Sequence, residues 1–206
     1  MKDEAYTLIT LKGIRIPSMI SYGTKGEYNI LIQNLLGKSI YTIWKEKGNK
    51  LNLKDTCMLA IQAIERIEFI HSKNYLHRDI KPANFLLGNP NNYLIYLIDF
   101  GNARKFRSSR TGKHIKNIKN CKLFGTLIFL SNNCLKRLEQ SRKDDLESLG
   151  YMLIYLYEGE LPWSHKKFKI MKEALDKICE LRSKTSLDML CKNAPQGIYE
   201  YMKLIN

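Results

Sequence analysis

Two short polar motifs constrain this chain more than any other feature of its sequence. The first runs His77-Arg78-Asp79-Ile80-Lys81-Pro82-Ala83-Asn84, and the second is Asp99-Phe100-Gly101. Between them, residues 93–98 (YLIYLI) form an apolar run, which predicts a buried strand that ends at the Asp. Either motif alone is a weak signal. Their order, with an Asp directly after an apolar strand, is a strong one.

These motifs resemble the H-R-D-x-x-x-x-N and D-F-G signatures of protein kinases. The resemblance implies that Asp79 orients the acceptor hydroxyl and accepts its proton. Asn84 and Asp99 would hold Mg²⁺ through oxygen atoms, the ligands that a hard cation prefers. Lys81 would place a positive charge near the γ-phosphate, and a Lys at this position is typical of serine/threonine kinases. We call residues 77–84 the catalytic loop.

Longer stretches are similar to the casein kinase 1 family. They are HSKNYLHRDIKPANFLLG, LIDFGNARKFR, and EQSRKDDLESLGYMLIY followed by GELPW. Ser131-Asn132-Asn133 matches the Ser-Ile-Asn element that this family has in place of A-P-E. The resemblance implies a serine/threonine kinase that uses ATP and Mg²⁺ to phosphorylate acidic or phosphate-primed proteins. It also implies a monomer inside the cell, in the cytoplasm, the nucleus or both.

The resemblance also assigns an ATP-binding surface. Residues 34–37 are similar to the hinge that hydrogen-bonds adenine, and residues from the C-terminal lobe would contact the base from below. The implied cofactor-binding residues are Gln33 at the gatekeeper position, Asn34 and Leu36 in the hinge, Leu86, Ile98 and Asp99.

Five further residues are expected to act on structure or on an anion. Asp145 would open the central helix and tie down the backbone of the catalytic loop, while His77 and Arg78 are structural members of that loop. Arg142 matches a residue that helps the family bind an anion, with a salt bridge to a nearby carboxylate as the alternative. Glu4 matches the Glu that pairs with an ATP-contacting Lys; otherwise it is an exposed acid in a first helical turn.

Local patterns predict helices over 4–12, 54–72, 144–157, 168–181 and 197–205, and strands near 17–22, 28–33 and 93–98. The helix over 54–72 carries Cys57, Ile61, Ile64, Ile67 and His71 on one face, and the helix over 144–157 is apolar nearly all round. With the resemblance, we expect an α+β, protein-kinase-like fold with a mostly helical C-terminal lobe and only a remnant of the N-terminal β lobe. The expected divisions are 1–33 for that remnant, 34–37 for the hinge and 38–206 for an incomplete C-terminal lobe.

The N-terminal region suggests a second hypothesis. No GxGxxG precedes Glu4, so neither a glycine-rich loop nor an ATP-contacting Lys lies ahead of it. The expectation is a kinase truncated at both ends. A catalytically impaired pseudokinase or scaffold fragment is therefore the alternative to an active enzyme.

Composition excludes some classes of protein but does not identify the function. The 206 residues carry a formal net charge of +14, which predicts anionic partners. No apolar run approaches the roughly 18 residues of a membrane span, and no secretory signal is visible. The five cysteines include no CxxC pair, which argues against a zinc ribbon or a disulfide scaffold. The basic segment 104–122 is either a solvated loop or a docking surface for acidic substrates; nucleic-acid binding rests on charge alone and is not expected.

Overall fold

The computed structural model describes residues 2–13, 15–88, 93–164 and 170–205, and these form a mostly helical α+β fold, as predicted. The α-helices in this part of the chain are α1 (Lys2–Thr10), α2 (Ile40–Glu46), α3 (Leu53–Ser72), α4 (Asn132–Leu135), α5 (Arg142–Glu158), α6 (Met171–Lys184), α7 (Leu187–Leu190) and α8 (Gln196–Ile205). The strands are β1 (Met19–Lys25), β2 (Tyr28–Gln33), β3 (Tyr75–Leu76), β4 (Phe85–Leu87), β5 (Ile95–Leu97) and β6 (Arg104–Lys105). The helix predicted over 168–181 starts on residues outside the described part.

The two strands predicted near residues 17–22 and 28–33 are confirmed, and they form a hairpin. β1 and β2 pair antiparallel, from Met19 opposite Gln33 to Lys25 opposite Tyr28. Gly26 lies in the turn with φ of 60°, a left-handed conformation that glycine adopts without a Cβ penalty. β1 starts and ends later than predicted, because its ladder with β2 continues up to this turn. The other strands form two more antiparallel pairs, β3 with β6 and β4 with β5.

The central helix is α5, and it is buried along most of its length, as its all-round apolar pattern predicts. It packs against α3 on one side and α8 on another. An added Cβ at Gly150 would lie 2.0 Å from Met202 Sδ, so the absence of a side chain lets α8 approach closely. Gly159, with φ of 95°, ends α5 and donates its N–H to Tyr155 O. The residues of α5 that form the core are Leu149, Tyr151, Met152, Leu153, Ile154 and Leu156.

The predicted apolar face of α3 is wrong. Ile67 is fully buried, but Ile61 is 61% exposed and Cys57 is exposed as well. The buried side chains of α3 include Leu59, Ala63 and Ile70, a face displaced by about one residue, or about 100°, around the helix axis. The displacement follows from packing, because α3 lies against both α5 and β5. Gln62, from the same helix, donates to Tyr93 O and accepts the N–H of Ile95.

The corrected face of α3 is tested by two isoleucines of the same helix. Ile67→Ala should lower the free energy of unfolding by about 2–5 kcal/mol, since it leaves a cavity in the core. Ile61→Ala should change it by less than about 0.5 kcal/mol, because the side chain is mostly in solvent. Urea unfolding of both variants measures the difference. Equal losses would contradict the placement of this helix.

Candidate active site

Two acidic residues in the first turns of α5 hold the segment around α4. Asp144 forms a capping box with Ser141 and accepts the Ser131 hydroxyl at 2.7 Å. Glu147 accepts the backbone N–H of Asn132 at 2.9 Å. The Asp-Asp-Leu-Glu run thus anchors the segment around α4, which precedes the helix.

Asp145 joins the same helix to the catalytic loop. Its carboxylate accepts the backbone N–H of His77 at 2.9 Å and of Arg78 at 2.8 Å, and it lies 2.8 Å from His71 Nε2. The residue is only 2% exposed. Burial by itself would raise the pKa of this carboxyl, but the hydrogen bond and the charge of His71 outweigh it, and the pKa lies below its ordinary value. Asp145 therefore stays ionised and holds the loop backbone in place.

His77 connects the catalytic loop to the strand that ends at Asp99. Its ring is fully buried and packs edge-on against Phe100, with 5.1 Å between ring centroids. Nδ1 accepts the N–H of Asp79 at 3.2 Å, and Nε2 lies 2.9 Å from Ile98 O. These partners fit a neutral ring that carries its proton on Nε2. The expected structural position of His77 is thus beneath the loop.

Arg78 reaches across to two neighbouring segments. Its backbone adopts a left-handed φ of 66°, and its Nε donates to Asn102 O at 2.7 Å. The guanidinium also lies 4.1 Å from the centroid of the Phe124 ring. Burial lowers the pKa of Arg78, and the nearby Arg104 lowers it further. The side chain therefore spans the loops on both sides of the basic segment.

Asp79 is buried, and both of its carboxylate oxygens are engaged. Oδ2 lies 2.6 Å from Lys81 Nζ, and Oδ1 accepts the Thr126 hydroxyl at 2.8 Å. Asn84 donates its side-chain amide to the backbone carbonyl of Asp79 at 2.9 Å. Pro82 starts the 3₁₀ turn Pro82–Asn84, where its fixed φ suits the first helical position. The loop thus presents a carboxylate beside a cation.

Asp99 lies two residues beyond β5, next to this loop. The N–H of Ile98 donates to Asn84 O at 3.0 Å, which ties the end of the strand to the last residue of the loop. Asp99 has a left-handed φ of 65°, is exposed, and accepts the N–H of Gly101. The structure therefore brings together the two motifs that the sequence singled out.

Glu4, on α1, faces the same motif. α1 packs on the 3₁₀ turn Phe100–Asn102, and Glu4 accepts a backbone hydrogen bond from Phe100. Burial raises the pKa of Glu4, and the neighbouring carboxylate of Asp99 raises it further. Glu4 is half-buried and close to Asp99, so it is not simply a solvated acid at a helix start.

The donors next to Asp79 fit Mg²⁺ in chemical type. Asp99 offers a carboxylate and Asn84 a side-chain amide, and Mg²⁺ in phosphoryl-transfer sites is held by one or two protein oxygen ligands together with substrate phosphates. Within the described ranges, no group of three or more His, Cys, Asp or Glu could hold a metal by itself. Asn84 and Asp99 would hold the ion together with the phosphates of a bound nucleotide.

Residues 34–37, which the resemblance assigns to the hinge, follow β2 and are hydrogen-bonded to the chain before β1 and to β4. Asn34 is paired with Ser18 through two hydrogen bonds, and Gly37 donates to Leu87 O at 2.8 Å. A Cβ at Gly37 would lie 2.6 Å from Gly88 O, so this close approach requires glycine. Gln33 ends β2, Leu36 is partly buried between these contacts, and Leu86 lies in β4 opposite Tyr96 of β5.

The family model for the protein kinase domain matches residues 1–205. The chain belongs to the protein kinase family. The match confirms the resemblance at the level of the superfamily and does not distinguish the casein kinase 1 group within it. Members of the superfamily transfer phosphate from ATP with the help of Mg²⁺.

The kinase fold leaves Arg142 on the surface at the start of α5. Its guanidinium lies 5.1 Å from the centroid of the Phe106 ring. The nearby carboxylates proposed as alternative partners are engaged elsewhere: Asp144 with the serines named above, and Glu139 with Arg104 at 3.2 Å. Arg142 is therefore exposed beside the basic segment.

Sequence reasoning missed two parts of this kinase site. Thr126 follows Gly125 in the sequence, but only the structure shows that its hydroxyl contacts Asp79. Arg182 is half-buried, donates to the carbonyls of Ile128 and Leu130, and has no motif that would have revealed it. Burial lowers the pKa of Arg182. Both residues fix the segment that precedes α4.

No helix in the described ranges is long and apolar enough to cross a membrane.

Asp145→Asn should lower the free energy of unfolding by about 3 kcal/mol at neutral pH, because it removes a buried charge from three donors. The folded pKa of Asp145 is depressed, so its stabilisation is present above the ordinary value of 3.8 and is lost as the pH falls through the folded pKa. The gap between wild type and variant should therefore shrink well below pH 3.8. Denaturant unfolding at neutral and acid pH measures it, with the exposed Asp176→Asn as control. A gap that grows with acidity would contradict this role.

Two glycines test the contact between Thr126 and the catalytic loop. Gly125 has φ of 111°, and an added Cβ would lie 2.7 Å from Arg78 O; Gly112 has φ of 65°, with open space around it. Gly125→Ala should cost about 3 kcal/mol and Gly112→Ala about 1 kcal/mol of stability, since only the first adds a backbone clash to the strain. Thermal unfolding of the pair compares them. Similar losses would show that the close approach at Gly125 is absent.

Proposed function

We propose that this protein is a serine/threonine kinase of the casein kinase 1 type. It transfers the γ-phosphate of ATP to Ser or Thr hydroxyls of acidic or phosphorylated proteins. The observation that carries the proposal is the buried Asp79 carboxylate, held between Lys81 and Thr126 on a loop joined to Asp99. An ordinary surface Asp has no such set of partners.

Each residue of the catalytic loop then has a defined task. Asp79 orients the acceptor hydroxyl and accepts its proton, which needs a carboxylate within hydrogen-bond reach. Lys81 places its charge beside that carboxylate, where negative charge shifts between the transferring and acceptor oxygens. Asn84 and Asp99 would hold Mg²⁺, which when bound neutralises charge on the phosphates.

The hinge supports adenine binding. Within the described part of the chain, the backbone N–H and C=O groups of Leu36 have no hydrogen-bond partner, and Gly37 fixes the adjacent backbone to β4. A nucleobase edge can pair with such free backbone groups. Leu86 and Ile98 would supply apolar contact to the base from β4 and from the residue after β5.

Exposed cations support a preference for acidic substrates. The chain carries a net charge of +14, and the segment 104–122 contributes many of its basic residues. Arg104 is paired with Glu139, but the side chains that follow lie on the surface: Arg107, Arg110, Lys113, Lys116, Lys119 and Lys122. Together with Arg142, they give the acceptor side of the site a positive field that attracts acidic chains.

An alternative is a kinase-fold scaffold with impaired catalysis. The observation in its favour is the position of Glu4 at the proposed metal site, where burial and then the neighbouring carboxylate of Asp99 raise the pKa of Glu4. This alternative predicts no turnover by the wild-type chain. The proposed kinase predicts turnover that depends on Mg²⁺.

Asp79→Asn should lower phosphate transfer by about 10²–10⁴-fold, because the amide cannot accept the proton. Transfer from ATP is measured on matched peptides that differ in acceptor (Ser, Thr or Tyr) and in flanking charge (acidic or neutral), with and without Mg²⁺. The exposed Asp176→Asn serves as control, and the melting temperature shows that each variant is folded. Unchanged transfer by Asp79→Asn would refute the assigned role, and no transfer by the wild type would favour the scaffold.

A further inference from the structure

A cavity of about 270 Å³ opens beside the catalytic loop. Three aromatic side chains form its walls: Tyr41 from α2, Phe129 from the segment before α4, and Tyr155 from α5. Lys81 and Thr126, the two partners of Asp79, lie on its edge. We call this cavity the aromatic pocket. It is distinct from the hinge and from the basic segment.

The walls of the aromatic pocket are held by a cluster of rings. Tyr155 packs edge-on against Phe129, with 5.4 Å between centroids, and lies 4.7 Å from Trp44. Trp44 in turn lies 5.8 Å from Tyr41 and donates its Nε1–H to Leu156 O. The rings fix one another, so the pocket exists before any ligand enters it.

Residues 126–128, on the other side of the aromatic pocket, are also held in place. Ile128, which also lines the pocket, has a backbone carbonyl that accepts Trp163 Nε1 at 2.8 Å and an Arg182 guanidinium N–H at 3.1 Å. The Arg182 guanidinium lies 4.2 Å from the centroid of the Tyr151 ring and 4.4 Å from that of Trp163. These contacts hold the chain between Thr126 and Ile128 in place beside Asp79.

The size and lining of the pocket indicate what it takes. Cavities for whole drug-sized ligands measure roughly 300–1,000 Å³, so this one suits a single large side chain. A cationic guest is disfavoured, because Lys45 already lies over the rings of Tyr41 and Trp44 and Lys81 stands at the edge. An aromatic or large aliphatic side chain would bury its surface against the three rings.

We propose that the aromatic pocket binds a bulky apolar side chain of the protein substrate, at a position close to the acceptor Ser or Thr. The inference rests on the proposed kinase function, because a peptide that brings its hydroxyl to Asp79 passes the edge formed by Lys81 and Thr126. Acidic residues then attract the substrate to the surface, and the apolar side chain sets its register.

The test uses fluorescently labelled Ser peptides, identical except for one flanking position that carries Phe or Ala, with every flanking position scanned in turn. Anisotropy measures affinity for the full chain, and the same peptides are used for phosphate transfer from Mg·ATP. Phe at one position should improve both affinity and kcat/KM by about tenfold over Ala. Tyr41→Ala should remove that preference, while Tyr41→Phe should keep it. Tyr93→Ala removes an exposed tyrosine that lines a different cavity and is the matched control.

The outcomes separate the two proposals. Equal affinity for Phe and Ala peptides at every position would overturn the pocket assignment, and so would a preference that Tyr41→Ala leaves intact. Selective binding without phosphate transfer would refute the kinase function and keep the pocket. Phosphate transfer without any preference between the Phe and Ala peptides would refute the pocket assignment and keep the kinase function. Tyr41 is 41% exposed, so its variants should fold.

Discussion

The position of the whole site depends on one buried carboxylate. Burying the charged Asp145 carboxylate has a large cost in desolvation free energy. Its hydrogen bonds with His71, His77 and Arg78 offset that cost only because all three donors converge on it. The loop backbone is thereby joined to the most buried helix of the fold. His77 carries the connection onward to Ile98 O, and so to the strand end that bears Asp99. Removing the carboxylate would therefore disturb residues that it never contacts.

A second set of contacts fixes Thr126 and the residues that follow it, beside Asp79. Thr126 bonds Asp79, and the chain that follows is held by Trp163 and Arg182 through the carbonyl of Ile128. The Arg182 charge is buried against two aromatic rings, an arrangement in which cation–π contact replaces part of the lost hydration. The same contacts thus hold both the Asp79 carboxylate and the aromatic pocket, and in the proposed kinase they would couple the position of the acceptor hydroxyl to the shape of the substrate.

Much of this arrangement is visible in local sequence. The motifs around Asp79 and Asp99 predicted that Asn84 and Asp99 would lie close enough to share a metal ion, and β1 and β2 were predicted as strands near residues 17–22 and 28–33. α5 was predicted as a buried helix because its apolar residues surround it. The face of α3 was predicted wrongly, because apolar spacing shows that a helix is amphipathic but not which neighbours cover it. Ile61 fits a stripe equally well, yet α5 and β5 pack against the adjacent face.

The sequence by itself determined the five longest helices, the two N-terminal strands, the membership of the kinase family and the candidate chemistry of the catalytic loop, because each depends on residues close together in the chain. Only the tertiary structure decided how α3 is rotated, which groups share the charge of Asp145, and that Tyr41, Phe129 and Tyr155 enclose one pocket. The physical reason is that these features depend on packing between elements far apart in sequence. A side chain carries no local signal of the partner that the fold will place against it.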